Sequence, residues 1–195
     1  MDAVFAVVIG FALGSIPFGL ILTRAAGLGD VRKIGSGSIG ATNVLRTGNK
    51  GLAAATVLLD AAKAVIPVLV AKAFWPGTEG IAAVAAVAGH CFTPWLAFKG
   101  GKGFASAAGA LGALAWPAML ACAAIWAITL TVSRISSVSS LVSVIAAPVV
   151  AWALGYPRVI APLLVIAAIV IVQHRANIGR LMRGEEPKVG SSAKS

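Results

Sequence analysis

Long apolar runs separated by short basic loops constrain this chain more than any other feature. Residues 3–22, 52–74, 81–98, 104–132, 138–154 and 159–172 carry few charges, and several reach the length that crosses ~30 Å of hydrocarbon. Lipid offers no hydrogen bonds, so a spanning segment must satisfy its own backbone, and an α-helix does so. The 195 residues are 59% hydrophobic and 11% charged, which excludes a soluble domain. The net charge of +10 would suit nucleic acid, but the basic residues lie in loops between apolar runs. That is the pattern of topology-setting charges against an anionic leaflet, so no nucleic-acid partner is expected. Cys91 and Cys122 both fall in apolar segments without metal-ligand spacing, which argues against a disulfide framework.

Charge then sets sidedness. Asp2 precedes the first run and Arg24 follows it, so the first helix is expected to be retained, with its N-terminus outside. Residues 23–50 carry Arg24, Arg32, Lys33, Arg46 and Lys50 and read as cytoplasmic; Trp75-Pro76-Gly77 reads as an outer turn. Residues 104–132 present a conflict, because Lys99 and Lys102 before them and Arg134 after them both indicate the cytoplasm. Trp116-Pro117 near the middle resolves it as a break between two short helices of about 20 Å each, which need tilt, shielding or a thinned bilayer. After an outer turn at Gly155-Tyr156-Pro157 the chain returns to a cytoplasmic tail. The expected fold is an all-α integral membrane protein, a bundle of seven transmembrane helices with two of them short, the N-terminus outside and the C-terminus cytoplasmic. Five full spans plus a re-entrant pair would preserve the same sidedness. Residues 1–195 form a single domain in this reading, with polar cytoplasmic stretches at 23–51, 99–103, 133–137 and 173–195, and residues 191–195 are expected to be disordered.

The polar stretches carry the chemistry. Gly35-Ser36-Gly37-Ser38-Ile39-Gly40-Ala41-Thr42-Asn43-Val44-Leu45-Arg46 combines glycines, hydroxyls, an amide and a guanidinium. Glycine lets backbone amides approach an anion, and arginine offers a planar fork matched to phosphate. Gly35, Gly37 and Gly40 also fit Gly-x-Gly-x-x-Gly, but a dinucleotide site needs a buried strand before it and an acid about 20 residues on. The preceding Gly29-Asp30-Val31-Arg32-Lys33-Ile34 is too charged for a central strand, and Asp60 lies inside an apolar run. Phe98-Lys99-Gly100-Gly101-Lys102-Gly103 lacks Walker A spacing yet shares its principle: glycines, lysine charge and a helix start near Gly103. In the tail, His174, Asn177 and Arg180 fall at helical spacing. His90 is the one histidine inside a span, read equally as a structural group or as one that orients or deprotonates a hydroxyl. Asp60 and Lys63, one turn apart, read first as an intramembrane ion pair that fixes helix packing. Helix capping explains most of the serines at 133–140, while Ser136 and Ser137 could line the site.

Taken together, Gly35–Arg46, Gly89-His90 with Phe98–Gly103, and His174-Arg-Ala-Asn177-Ile-Gly-Arg180-Leu resemble the three motifs of the bacterial acyl-phosphate glycerol-3-phosphate acyltransferases, the PlsY family. The resemblance covers nearly the whole chain in order, with departures at Phe104-Ala105-Ser106, where the family more often reads Val-Ala-Thr, and at Glu185-Glu186, where counting from Asn177 favours Glu186. It implies a multi-pass enzyme of the bacterial cytoplasmic (inner) membrane, without metal or other cofactor. Such an enzyme moves a fatty acyl group from acyl phosphate to the 1-hydroxyl of glycerol 3-phosphate, giving lysophosphatidic acid and phosphate. By the resemblance Ser38, Arg46, His90 and Asn177 are catalytic. Ser36, Gly37, Thr42, Asn43, Lys99, Gly100, Gly101, Lys102, Gly103, His174, Arg180 and Glu186 would bind substrate, joined by Ser136 and Ser137. Expected partners are the two substrates, the lipid bilayer and the enzyme that produces acyl phosphate. The chemistry suits the residues: a mixed anhydride is already activated, so orientation and charge neutralisation suffice. A transporter of a small phosphorylated anion is the competing reading. It would show broken helices at mid-membrane and often an internal repeat, whereas the polar motifs here gather on one face. Metal-dependent phosphotransfer is disfavoured by six scattered acids.

Overall fold

The computed structural model describes residues 1–190, and its regular structure is helical throughout. The expectation of disorder at 191–195 lies outside the described residues. The first apolar run divides into α1 (Asp2–Gly14) and α2 (Phe18–Ala25), interrupted just before Pro17 takes the N-cap of α2. A polar loop holds the four-residue α3 (Ala41–Val44) and leads to α4 (Lys50–Phe74), whose first turn is capped by Asn49 accepting from the Leu52 N–H at 3.0 Å. Then follow α5 (Glu79–Cys91), α6 (Phe104–Ser133), α7 (Ser136–Ala153), α8 (Ile160–Gln173) and α9 (Arg175–Met182). By length and apolarity Asp2–Ala25, Lys50–Phe74, Phe104–Ser133 and Ser136–Ala153 could each cross a membrane; the pair Pro157–Gln173 and Arg175–Met182, bent by 60°, makes a fifth candidate.

The α6 run is not straight. Ala115 leaves helical geometry at φ −157°, ψ 79°. Phe104 and Trp126 stack with centroids 6.1 Å apart, although 22 residues of straight helix would separate them by about 33 Å. The run is therefore a helical hairpin, and the break falls two residues before Pro117, which cannot donate and whose ring crowds the preceding turn. The apolar run at 81–98 needs the opposite correction. Its helix stops at Cys91, because Thr93, held extended at φ −64°, ψ 122° ahead of Pro94, cannot continue it. At 13 residues α5 is about 20 Å long, short of the hydrocarbon thickness.

Small residues let these helices close up. Gly10 and Gly14 of α1 face Ala82 and Ala86 of α5, where a Cβ on Gly14 would overlap the Ala86 carbonyl. The interior is largely alanine and valine, including Ala64, Val68, Ala82, Ala86, Val87 and Ala110. Large side chains such as Leu58, Val132, Val149 and Trp152 point outward. This inverts the soluble pattern and suits helices that associate by close packing in lipid. Phe5 stacks on Trp75 at 5.4 Å, so the N-terminus and the Trp75-Pro76-Gly77 turn share one end of the bundle. At the other end, Thr42 meets Ser136, Ser137 meets Glu186, and the Val189 N–H donates to the Arg134 carbonyl at 2.7 Å. Three of the four polar stretches thus meet there, and the fourth joins them where Gly100–Lys102 and Ser36–Ser38 line one cavity.

Candidate active site

The first glycine loop folds around Asn43. Its buried Nδ2 donates to the carbonyls of Val31, Ile34 and Ser38 at 2.7, 3.1 and 2.8 Å. Its Oδ1 accepts from the Ser36 N–H at 3.1 Å and from Arg46 Nη1 at 3.4 Å. The loop's amides largely bond within the loop: Gly37 N–H to the Ile34 carbonyl and Gly40 N–H to Ser38 Oγ. Asn43, expected to touch substrate, here holds the loop together through these bonds. Arg46 lies across Gly35, where any Cβ would collide with its guanidinium. Upstream, Asp30 pairs with Arg24 at 3.0 Å and Arg32 at 2.6 Å, and the hydrogen bonds from Arg32 hold its carboxyl well below the usual carboxylate range.

The second loop lies flat on the end of α5. The Gly100 N–H donates to the Cys91 carbonyl at 3.1 Å and the Gly101 N–H to the His90 carbonyl at 3.0 Å. A Cβ at Gly100 would strike those carbonyls, and one at Gly101 would strike the His90 imidazole. The glycines thus serve a close backbone approach, and the expected amide donors shift along the chain. The Lys102 and Gly103 N–H groups, at the start of α6, are the ones without an acceptor among the described residues. Burial pushes the Lys102 ammonium down to about 8, partly offset by the negative charge of Glu186.

The tail completes the site. Glu186 accepts from Ser137 Oγ at 2.7 Å, from Asn177 Nδ2, and from Arg180 Nε at 2.7 Å. Burial favours its neutral form, but these three donors together hold its carboxyl below the usual range. Glu185 turns outward to Arg183, so of the two acids it is Glu186 that joins the polar cluster. Asn177 is fixed through its Nδ2, and its buried Oδ1 has no hydrogen-bond partner among the described residues.

These three walls enclose a polar cavity of about 190 Å³, lined by Ser36, Gly37, Ser38, Gly100, Gly101, Lys102, Gln173, Arg175, Ala176, Asn177 and Arg180. Three cations and no carboxylate border it, the lining of an anion site. A larger hollow of about 880 Å³ opens beside Pro76 and Gly77, among apolar side chains with Glu79 and Arg158, and shares no lining residue with the small cavity. Eight of the expected residues line the small cavity. The others do not: Lys99 is exposed, Gly103 packs on Cys91, Val87 and Val170, and Thr42 meets Ser136. His174 Nδ1 is bonded to the Val170 carbonyl at 2.8 Å, and His90 lies behind Gly101. Gln173, Arg175 and Ala176 line the cavity without having been expected to; their place in the tail motif was the available signal. Among the described residues no cluster of His, Cys, Asp or Glu could hold a metal ion.

The family model described as glycerol-3-phosphate acyltransferase matches residues 4–184. The chain belongs to the glycerol-3-phosphate acyltransferase family. Among relatives, the glycerol-3-phosphate acyltransferase of Erythrobacter litoralis is 56% identical over 98% of this chain and 97% of its own length, and that of Mesorhizobium japonicum is 53% identical over 96% of each. The crystal structure of PlsY, an integral membrane glycerol 3-phosphate acyltransferase, in its glycerol 3-phosphate form superposes with a TM-score of 0.92 at 34% identity, covering 97% of this chain and 96% of that one. Its lysophosphatidic acid form gives 0.90. This member of the acyltransferase family is accordingly a multi-pass integral membrane enzyme with the PlsY fold.

Proposed function

We propose that the protein transfers a fatty acyl group from acyl phosphate to the 1-hydroxyl of glycerol 3-phosphate at the cytoplasmic face of the bacterial inner membrane. The single domain would thread seven helices, with α5 and the first arm of the α6 hairpin among the short ones and the N-terminus outside. The observation that carries this reading is the cationic cavity at the polar end of the bundle, bordered by Ser38, Lys102, Asn177 and Arg180. Both substrates bring a phosphate to it, while the acyl chain stays among the helices.

In the reaction the glycerol oxygen attacks the acyl carbonyl carbon. The bond from that carbon to the phosphate oxygen breaks, and phosphate leaves with the electron pair. Lys102, with its ammonium and its N–H, holds glycerol 3-phosphate, and Asn177 Oδ1 accepts from its hydroxyl, which turns the oxygen toward the carbonyl. Arg46, which lies across Gly35 next to the cavity, neutralises charge on the departing phosphate, and Ser38 donates a hydrogen bond to it. Neither histidine ring borders the cavity, which supports a phosphate oxygen as the acceptor of the hydroxyl proton. No step calls on a metal. Purified protein given acyl phosphate and labelled glycerol 3-phosphate should yield labelled lysophosphatidic acid equally well with excess chelator. Activity lost to chelator and restored by magnesium would sink the mechanism, and product formed from acyl thioester alone would sink the donor assignment.

A further inference from the structure

Three charged or ionisable side chains, Asp60, Lys63 and His90, are almost wholly buried in the bundle and take no part in the chemistry above. Lys63 Nζ sits 2.7 Å from Asp60 Oδ1 and donates to the Ile16 carbonyl at 2.7 Å, at the break between α1 and α2. It also lies 5.8 Å from the centroid of the Phe18 ring, the first residue of α2. From there α2 reaches the first glycine loop directly, since Gly19 abuts the Ile39 carbonyl so closely that a Cβ would overlap it. In the other direction, Asp60 Oδ1 is 3.6 Å from His90 Nδ1, and the far side of that imidazole supports Gly101. The Asp60 backbone carbonyl accepts from Ser106 Oγ at 2.9 Å, in the first turn of α6.

Each of these contacts therefore leads toward one of the two glycine loops. Helix packing alone would not need it, because apolar residues of similar volume usually serve as well as a buried ion pair. We infer that Lys63, with Asp60 and His90, is a positioning group that fixes the spacing between the loop at Ser36–Ser38 and the loop at Gly100–Lys102. The inference rests on the acyltransferase reading for its kinetic consequence and is independent of it for the spacing itself.

Single replacement of either charge strands the other and risks misfolding, so the paired variant Asp60→Asn with Lys63→Met is the informative one. Two measurements test it. In steady-state kinetics the folded pair variant should raise KM for glycerol 3-phosphate at least tenfold while kcat stays within about threefold of wild type. In pulsed electron resonance, spin labels at Leu28→Cys and Lys99→Cys, both exposed, should give a narrow distance distribution in wild type and a broad one in the pair variant. Wild-type KM values with an unchanged distance distribution would make the cluster a packing device and overturn the inference, as would a fall in kcat at constant KM. A wild type that fails to acylate glycerol 3-phosphate refutes the acyltransferase reading, while the distance measurement still decides the spacing.

Discussion

Adjacent glycines in the second loop have different neighbours, and that difference is measurable. Gly100 faces main-chain carbonyls of His90 and Cys91, at the end of α5, whereas Gly101 faces the buried His90 ring. Gly101→Ala should displace the loop and raise KM for glycerol 3-phosphate while sparing much of kcat, as expected when binding common to ground and transition states is lost. Gly100→Ala should in addition lower the thermal midpoint in detergent. Steady-state kinetics and thermal unfolding check both, and a kcat loss at constant KM in Gly101→Ala would show the loop acting on the transition state. Arg46 answers a different question. Among the described residues its one side-chain hydrogen bond is long, at 3.4 Å to Asn43, leaving most of its fork for a ligand. Arg46→Lys keeps the charge and loses the fork, so kcat should fall ~10–100-fold, about 1.4–2.7 kcal/mol. A rise confined to the KM for glycerol 3-phosphate would instead assign Arg46 to the acceptor.

At the scale of elements, sequence charge was informative where side chains alone were not. Lysines before and an arginine after residues 104–132 required the run to reverse, Pro117 marked the place to within two residues, and the Phe104–Trp126 stack is the physical sign of that reversal. The end of α5 was legible too, in Pro94, but the apolar run masked it because hydrophobicity continues past the point where the backbone turns. The interior of the first loop could not be read. Asn43 reaches partners 5 to 12 residues away, and such bonds leave no periodic trace. For the same reason the motifs located the cavity without telling which of their polar residues face it: a polar residue in a motif can build the wall or stand behind it. The hairpin makes a direct prediction about topology. Single cysteines at Lys99 and Arg134 should both resist an impermeant reagent applied from outside, while one at Arg158, at the opposite end, should react. Labelling at only one of the first two would break the hairpin topology.

Across the whole molecule, a charge of +10 is gathered largely at one end of an otherwise apolar bundle. That arrangement attracts phosphates from solution to the lipid surface, yet it also makes the site sensitive to pH through its one titrating cation. Lys102 is held at about 8 by burial, against an ordinary lysine value of 10.5. In the unfolded chain it keeps its proton to higher pH, so the strain of burying the ammonium is present at neutral pH and fades as pH rises above about 8. Binding works in the reverse sense. A phosphate in the cavity favours the ammonium and raises its pKa, so binding takes up a proton wherever the free enzyme has lost one. The second pKa of the substrate phosphate, near ~6, is already passed, and the ligand charge stays constant over this range. KM for glycerol 3-phosphate should therefore be flat below pH 8 and climb above it, approaching about tenfold per pH unit until the pKa of the bound state is reached. Lys102→Arg supplies a cation that never titrates in this range, and its KM should stay flat through the same window. Initial rates between pH 6.5 and 9.5 at saturating acyl phosphate measure this, and an equal rise in Lys102→Arg would show that some other group carries the proton.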